Sequence, residues 1–213
     1  MTQPSTTAIR TDLTPVLPSR GALRPLGLDE VRITGGFWGD RQAVNAATSI
    51  PHCDVWETRV GWISNFTRAL EGTLVGNRTG REFSDSDVYK MIEAMAWEVA
   101  RTGDPALDAR IRELGALIAQ VQESDGYLNT KFGRPGQEPR YSDLAWGHEL
   151  YCYGHLIQAA VARLRSGVRD ELVEVALRAA DHLCDAFGPD GIDGVCGHAE
   201  IEPALVELYR VTG

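Results

Sequence analysis

Between Val88 and Val99 the apolar residues Val88, Met91, Ile92, Met95 and Val99 recur at the spacing that lays one stripe along an α-helix. Ser84-Asp85-Ser86-Asp87 stands just before them, and its hydroxyls and carboxylates can cap the free amides of a first helical turn. Gly103-Asp104-Pro105 breaks the pattern. Leu107, Ile111, Leu114, Ile118 and Val121 then form a second stripe, with Asp108, Arg112 and Glu113 off it, as expected of a peripheral helix that ends at Asp125-Gly126. Further helices are predicted over 148–164 and 170–187, with loops at 127–142 and 188–197. A last helix groups Ile201, Ala204, Leu205 and Leu208 and stops at Gly213. Upstream, Val31-Arg32-Ile33 reads as a short strand, and Gly35 to Asp40 as a turn carrying Phe37 and Trp38. A helix from about Asp40 to Ser49 is expected to stop before Pro51, and Trp62–Leu70 to end at Gly72. The expectation is all-α: a leader over 1–30, poorly ordered or lying on the surface, then one domain of helical hairpins over 31–213.

The segment from Trp146 to Val161 has two faces of buried character. At about 100° per residue, Leu150, Ile157, Val161 and Leu164 fall on one side and His148, Tyr151, Cys152, His155 and Ala159 on the other. A surface helix would carry Lys, Glu or Arg opposite its apolar stripe. Two imidazoles, a phenol and a thiol suit a wall that backs onto a core and fronts a pocket, although they also suit two satisfied core histidines and a buried thiol.

Net charge changes the picture of partners. A formal charge of −9 argues against nucleic acid and against an anionic membrane surface, and leaves neutral or cationic small molecules and sugars. No run approaches the roughly 20 apolar residues of a membrane span, and the N-terminus lacks an apolar run of signal-peptide length. Cys53, Cys152, Cys184 and Cys196 match no disulfide framework. A reduced, cytoplasmic setting is expected, with Cys184 on an apolar helix face beside Val173, Leu177, Ala180 and Phe187.

Four sets of residues could carry chemistry. His148, Cys152 and His155 share a face at chelating spacing, with Cys196 and His198 in a following loop, yet no zinc signature accompanies them. Asp85/Asp87 and Glu200/Glu202 are candidate carboxylate pairs for glycoside hydrolysis. The alternative roles, helix capping and charge at a helix N-terminus, are favoured for them. Cys152 beside two imidazoles is a candidate nucleophile. Trp38, Trp62, Tyr127 and Trp146 could stack on a sugar ring or simply pack.

Seven ordered segments carry a resemblance. They are GGFWGDR near residue 36, SIP at 49–51, FSDSDVYKMIEA at 83–94, QESDGYLNT at 122–130, HELYCYGHLIQAAVA at 148–162, FGPDG at 187–191 and GHAEIEPALVELYRVTG at 197–213. In this order and spacing the chain resembles the N-terminal part of glycoside hydrolase family 127, the β-L-arabinofuranosidases. The resemblance implies part of an (α/α)6 barrel, ending before barrel closure, and retaining hydrolysis of terminal β-L-arabinofuranosyl residues of plant-derived glycans. It also implies a zinc-bound cysteine nucleophile in the full-length enzyme, supplied by a later part of the barrel, so neither catalytic residues nor zinc ligands are expected within this chain, which alone would be inactive.

His148 and His198 match the two histidines that contact the sugar in the family, and Trp38, Asp87, Tyr151 and His155 are expected to line the pocket. The family pattern usually places proline directly after the second histidine; here Ala199 stands there and proline comes at Pro203, so the last helix is expected to start later and to alter the aim of His198. The segment between Pro51 and Asn65 is short, and the sugar-touching glutamine that some relatives carry there has no counterpart. Self-association through an uncovered barrel edge is expected. A complete small metal- or cysteine-dependent hydrolase, or a non-catalytic carbohydrate-binding protein, are the other readings.

Overall fold

The computed structural model describes residues 23, 26–28 and 30–213; the leader expected over 1–30 therefore lies almost wholly outside the described residues. Helix α1 (Gly36–Val44) is the first helix among the described residues and runs through a π turn at Asn45–Ser49 into α2 (Ile50–Arg59). After these come α3 (Trp62–Glu71), α4 (Ser84–Thr102), α5 (Pro105–Val121), α6 (Glu149–Arg165), α7 (Glu171–Ala186) and α8 (Ile201–Thr212). No strand occurs among the described residues beyond an isolated bridge between Phe132 and Glu138.

Three expectations near the start are corrected. Val31–Ile33 is not a strand, and the Gly36–Asp40 segment is already helical. Nor does the helix stop at Pro51. A proline lacks an amide hydrogen and its ring crowds the preceding turn. Here the turn before it widens, with the Ile50 amide donating to the Asn45 carbonyl five residues back, and Pro51 becomes an early residue of α2. The other breaks fall as the sequence indicates: Gly72 and Gly103 end α3 and α4 in left-handed backbone, and the Asp104 carboxylate caps α5 by accepting from the amides of Ala106 and Leu107.

Helices α4, α6 and α8 lie side by side, with α5 and α7 packed behind them. Helix α6 sits at the centre, touching α4, α7 and α8, and only Tyr151, His155 and Gln158 of its residues are not buried. These three recur at i, i+4, i+7, one narrow strip left open on an otherwise enclosed helix. Cys152 is not on that strip. It is 2% exposed in the core shared with α4, because its neighbours at i+4 and i+7 are the buried Leu156 and Ala159. Cys184 is also misplaced by the sequence reading: Leu183 takes the inward position on α7 and Cys184 is exposed. The α8 stripe expected to be uncovered is packed instead, with Ile201, Ala204 and Leu208 buried beside α6.

Polar groups fix this arrangement. Arg163 of α6, fully buried, holds Asp170 at the start of α7 and Asp108 of α5, both at 2.7 Å. Arg165 pairs with Glu207 of α8. Asp85 was expected to cap α4, but its carboxylate turns away and accepts from the amide and hydroxyl of Thr130, at 2.8 and 2.6 Å. The loop between α5 and α6 is also held by Glu149, which accepts from the Tyr127 hydroxyl and the Tyr141 amide, and by Tyr153, whose hydroxyl accepts from the Leu128 amide.

Candidate functional site

His148 caps α6 from left-handed backbone, φ 60° and ψ 20°. That conformation costs a side-chain-bearing residue about 1–2 kcal/mol, and among the described non-glycine residues only Tyr141 shares a positive φ. The backbone turn throws the imidazole across the helix mouth. Its Nδ1–H donates to the Trp146 carbonyl, which can only accept, so Nε2 is the ring nitrogen left for another partner. The ring centroid lies 5.4 Å from Phe83, 5.6 Å from Tyr151 and 4.6 Å from His198.

His198 reaches this place from the loop before α8. Gly197 presses against the Ala145 carbonyl so closely that a Cβ would come within 2.0 Å of its oxygen, and the Gly197 amide donates to the Leu144 carbonyl. The Cys196 thiol donates to the His198 carbonyl at 2.6 Å. Pro203 falls in the first turn of α8, which begins at Ile201, so the absence of proline after His198 does not turn its ring away from His148.

Tyr151 joins the two histidines to the interior. Its ring lies 5.3 Å from His198 and 4.5 Å, edge-on, from His155. Its phenol accepts from Lys90 at 3.4 Å, and Lys90 pairs with Asp87 at 2.8 Å. Burial works against the Lys90 charge, but Asp87 and Tyr151 more than offset it and hold the ammonium above its ordinary range. His155 is different. Burial, with Lys90 adding to it, pushes its imidazole down to about 4, so it is neutral. Its Nδ1 stands 3.7 Å from Glu200, beyond a hydrogen bond, and neither ring nitrogen has a protein partner.

The carboxyl groups around this band are pushed the other way. Burial raises Glu57 to about 8, with Asp87 and Asp54 adding to the effect, and raises Glu93 and Glu200 in direction. Glu57 lines a cavity of about 390 Å³ between α2 and α4 together with Asp87 and Lys90. The neutral His155 imidazole, the Tyr151 phenol and the protonated Glu57 carboxyl can give and accept hydrogen bonds without demanding a charged ligand.

Thus His148, His198, Tyr151, His155 and Asp87 come together in one band. Trp38 does not join it through any ring contact of the band: it is 68% exposed on α1, its ring edge against Phe37. Tyr127 is buried on Glu149, away from solvent, and Trp146 is exposed. Cys152, turned into the core, leaves the candidate metal set, and burial raises its thiol well above the usual range, against a nucleophilic role. No three His, Cys, Asp or Glu side chains gather as metal ligands among the described residues. The sequence reading overlooked Glu57, Lys90 and Glu93. Lys90 was open to discovery, since Asp87, Lys90 and Ala94 recur at i, i+3, i+7 off the apolar stripe of α4. Glu57 was not, because the helix that places it was expected to have ended at Pro51.

A wall of paired helices with a hydrogen-bonding strip at its mouth is the architecture of one part of a helical barrel. The comparisons agree. The family description β-L-arabinofuranosidase, glycoside hydrolase family 127 catalytic domain, matches residues 30–213, and the chain belongs to that family. A non-reducing end β-L-arabinofuranosidase of Bifidobacterium longum subsp. longum is 44% identical over 152 residues, 68% of this chain and 23% of the relative. The crystal structure of a family 127 β-L-arabinofuranosidase from Geobacillus stearothermophilus T6 superposes with a TM-score of 0.77 at 36% identity, covering 86% of this chain and 30% of that one. A family 127 β-arabinofuranosidase superposes with a TM-score of 0.80 at 31% identity, covering 87% of this chain and 31% of that one. The helical hairpins are those of the family's (α/α)6 barrel. The chain spans less than a third of the length of each of these relatives.

Proposed function

We propose that this chain forms the sugar-recognition wall of a retaining β-L-arabinofuranosidase acting on terminal β-L-arabinofuranosyl residues of plant-derived glycans. The observation that supports it is the 4.6 Å approach of the His148 and His198 rings from two separate loops. In this reading His148 accepts a sugar hydroxyl at Nε2, His198 holds a second, and the unpartnered nitrogens of His155 take a third. Trp38 would belong to the outer pocket rim. In this reading the zinc implied for the full-length family enzyme is held by residues of that enzyme outside this chain, and the chain itself supplies recognition. The domain is taken as 31–213. A cytoplasmic setting fits its four free thiols.

Titration calorimetry with methyl β-L-arabinofuranoside tests the reading. His148→Gly keeps the left-handed backbone comfortable and removes the ring; His198→Ala removes its partner. Each is expected to weaken binding by roughly 5- to 100-fold, the cost of losing a buried hydrogen-bond partner, with little change in melting temperature. Loss of thermal stability without loss of binding would return both histidines to packing roles. The chain alone is expected to leave an aryl β-L-arabinofuranoside intact; turnover abolished by Cys152→Ala would instead favour a small cysteine-dependent hydrolase.

A further inference from the structure

The cavity between α2 and α4 has a composition that the histidine pair does not explain. The π turn contributes Asn45 and Ser49, α2 contributes Glu57, α3 Trp62, and α4 Asp87 and Lys90. At about 390 Å³ it falls within the range of small-molecule sites. Glu57 is 7% exposed, and its Oε2 is buried with no protein partner. A buried carboxyl oxygen without a partner is unusual in a folded protein, and the residue that carries it lines the cavity.

We propose that this cavity is a second sugar-ring subsite, adjoining the histidine pair, that takes the sugar unit next to the one held by His148 and His198. The proposal rests on the reading of those histidines given above. Three observations select a neutral polyhydroxyl ring. Asp87 and Lys90 neutralise each other at 2.8 Å, so the pair offers acceptors and donors rather than net charge. Glu57 is held protonated at neutral pH by burial and its carboxylate neighbours, so it can both donate to and accept from a hydroxyl. Ile50, Met91 and the Trp62 indole supply an apolar surface for the C–H face of a sugar ring. Adjacency follows from Lys90. Lys90 lines the cavity, and its ammonium reaches the Tyr151 phenol, whose ring touches His155 and His198.

The test compares two probes on the full chain: methyl β-L-arabinofuranoside, and a disaccharide in which the same sugar is linked to a second arabinose. The disaccharide is expected to bind about tenfold tighter, the effect of one or two added hydrogen bonds. Glu57→Leu should remove that gain and leave the methyl glycoside within about twofold of wild type, whereas Glu57→Gln, which still donates and accepts, should keep most of it. Ser49→Phe, on the exposed rim, blocks the cavity without touching Glu57 and should produce the same selective loss if Glu57→Leu folds poorly. Equal affinity for the two probes in the wild-type chain, or a gain that survives both Glu57→Leu and Ser49→Phe, overturns the subsite while leaving the histidine assignment standing. Binding of neither probe overturns both.

Discussion

Two ionisable residues of the site should leave opposite marks on stability. Glu57 keeps its proton up to about pH 8 when folded but releases it near 4.5 when unfolded. Across that window the folded state binds more protons, so stability falls as pH rises from 4.5 through 8. Glu57→Gln should flatten this fall, and its advantage over the wild-type chain should grow toward the alkaline end. His155 titrates near 4 when folded and near 6.5 when unfolded, so its contribution is complete above 6.5 and disappears as pH drops toward 4. His155→Gln should flatten that acid-side loss. The groups facing them are Asp54, Asp87 and Lys90 for Glu57, and Tyr151, Lys90, Asp87 and Glu200 for His155. Urea midpoints measured from pH 4 to 9 decide the matter; curves parallel to wild type would contradict both assignments. At this scale the sequence singled out His148, Tyr151 and His155, whose rings the structure brings together, because imidazoles and a phenol opposite an apolar stripe are a visible anomaly. It could not place Cys152, since a thiol is at home on either face and only packing against α4 chose the buried one.

Among the elements, α6 crosses the start of α8 closely, just beyond the loop that carries His198. A Cβ on Gly154 would lie 2.9 Å from the backbone carbonyl carbon of Glu200 and 2.6 Å from its Cγ. Gly154→Ala should raise helix propensity yet force these elements apart, for a net loss of about 1–3 kcal/mol. Because His198 lies two residues before Glu200, the same substitution should weaken binding of the methyl glycoside. A variant with unchanged melting temperature and unchanged affinity would show that α8 can shift without cost. Most helices were readable from apolar spacing and glycine stops, as α3 to α8 illustrate. The α1–α2 region was not, because the rule that helices end before proline holds for a regular α turn, and the wider turn at Asn45–Ser49 escapes it. A turn of that kind leaves no residue pattern of its own.

For the molecule as a whole, the expected uncovered stripe of α8 is packed, but apolar surface is exposed elsewhere. Phe37, Trp38 and Val44 on α1, Trp56 on α2, and Val206 and Tyr209 on α8 are all more than 40% exposed. We expect a second copy of the chain to cover part of this surface, so that light scattering at rising concentration shows species larger than a monomer and a hydrophobic dye binds. A monomer that leaves the dye dark at all concentrations would mean that these side chains are tolerated singly. The all-helical architecture was readable at this scale because a sheet needs period-two alternation, which the chain lacks, whereas the two-row arrangement of α4–α6–α8 against α5–α7 follows only from packing. The long connection between α5 and α6 has a further consequence. A loop of this length would ordinarily be where a chain admits insertions, nicks and circular permutation. Here Thr130, Tyr127, Leu128 and Tyr141 are tied to Asp85, Glu149 and Tyr153 of the helices. To an evolving gene or an engineer, the segment is therefore closed to change despite its length.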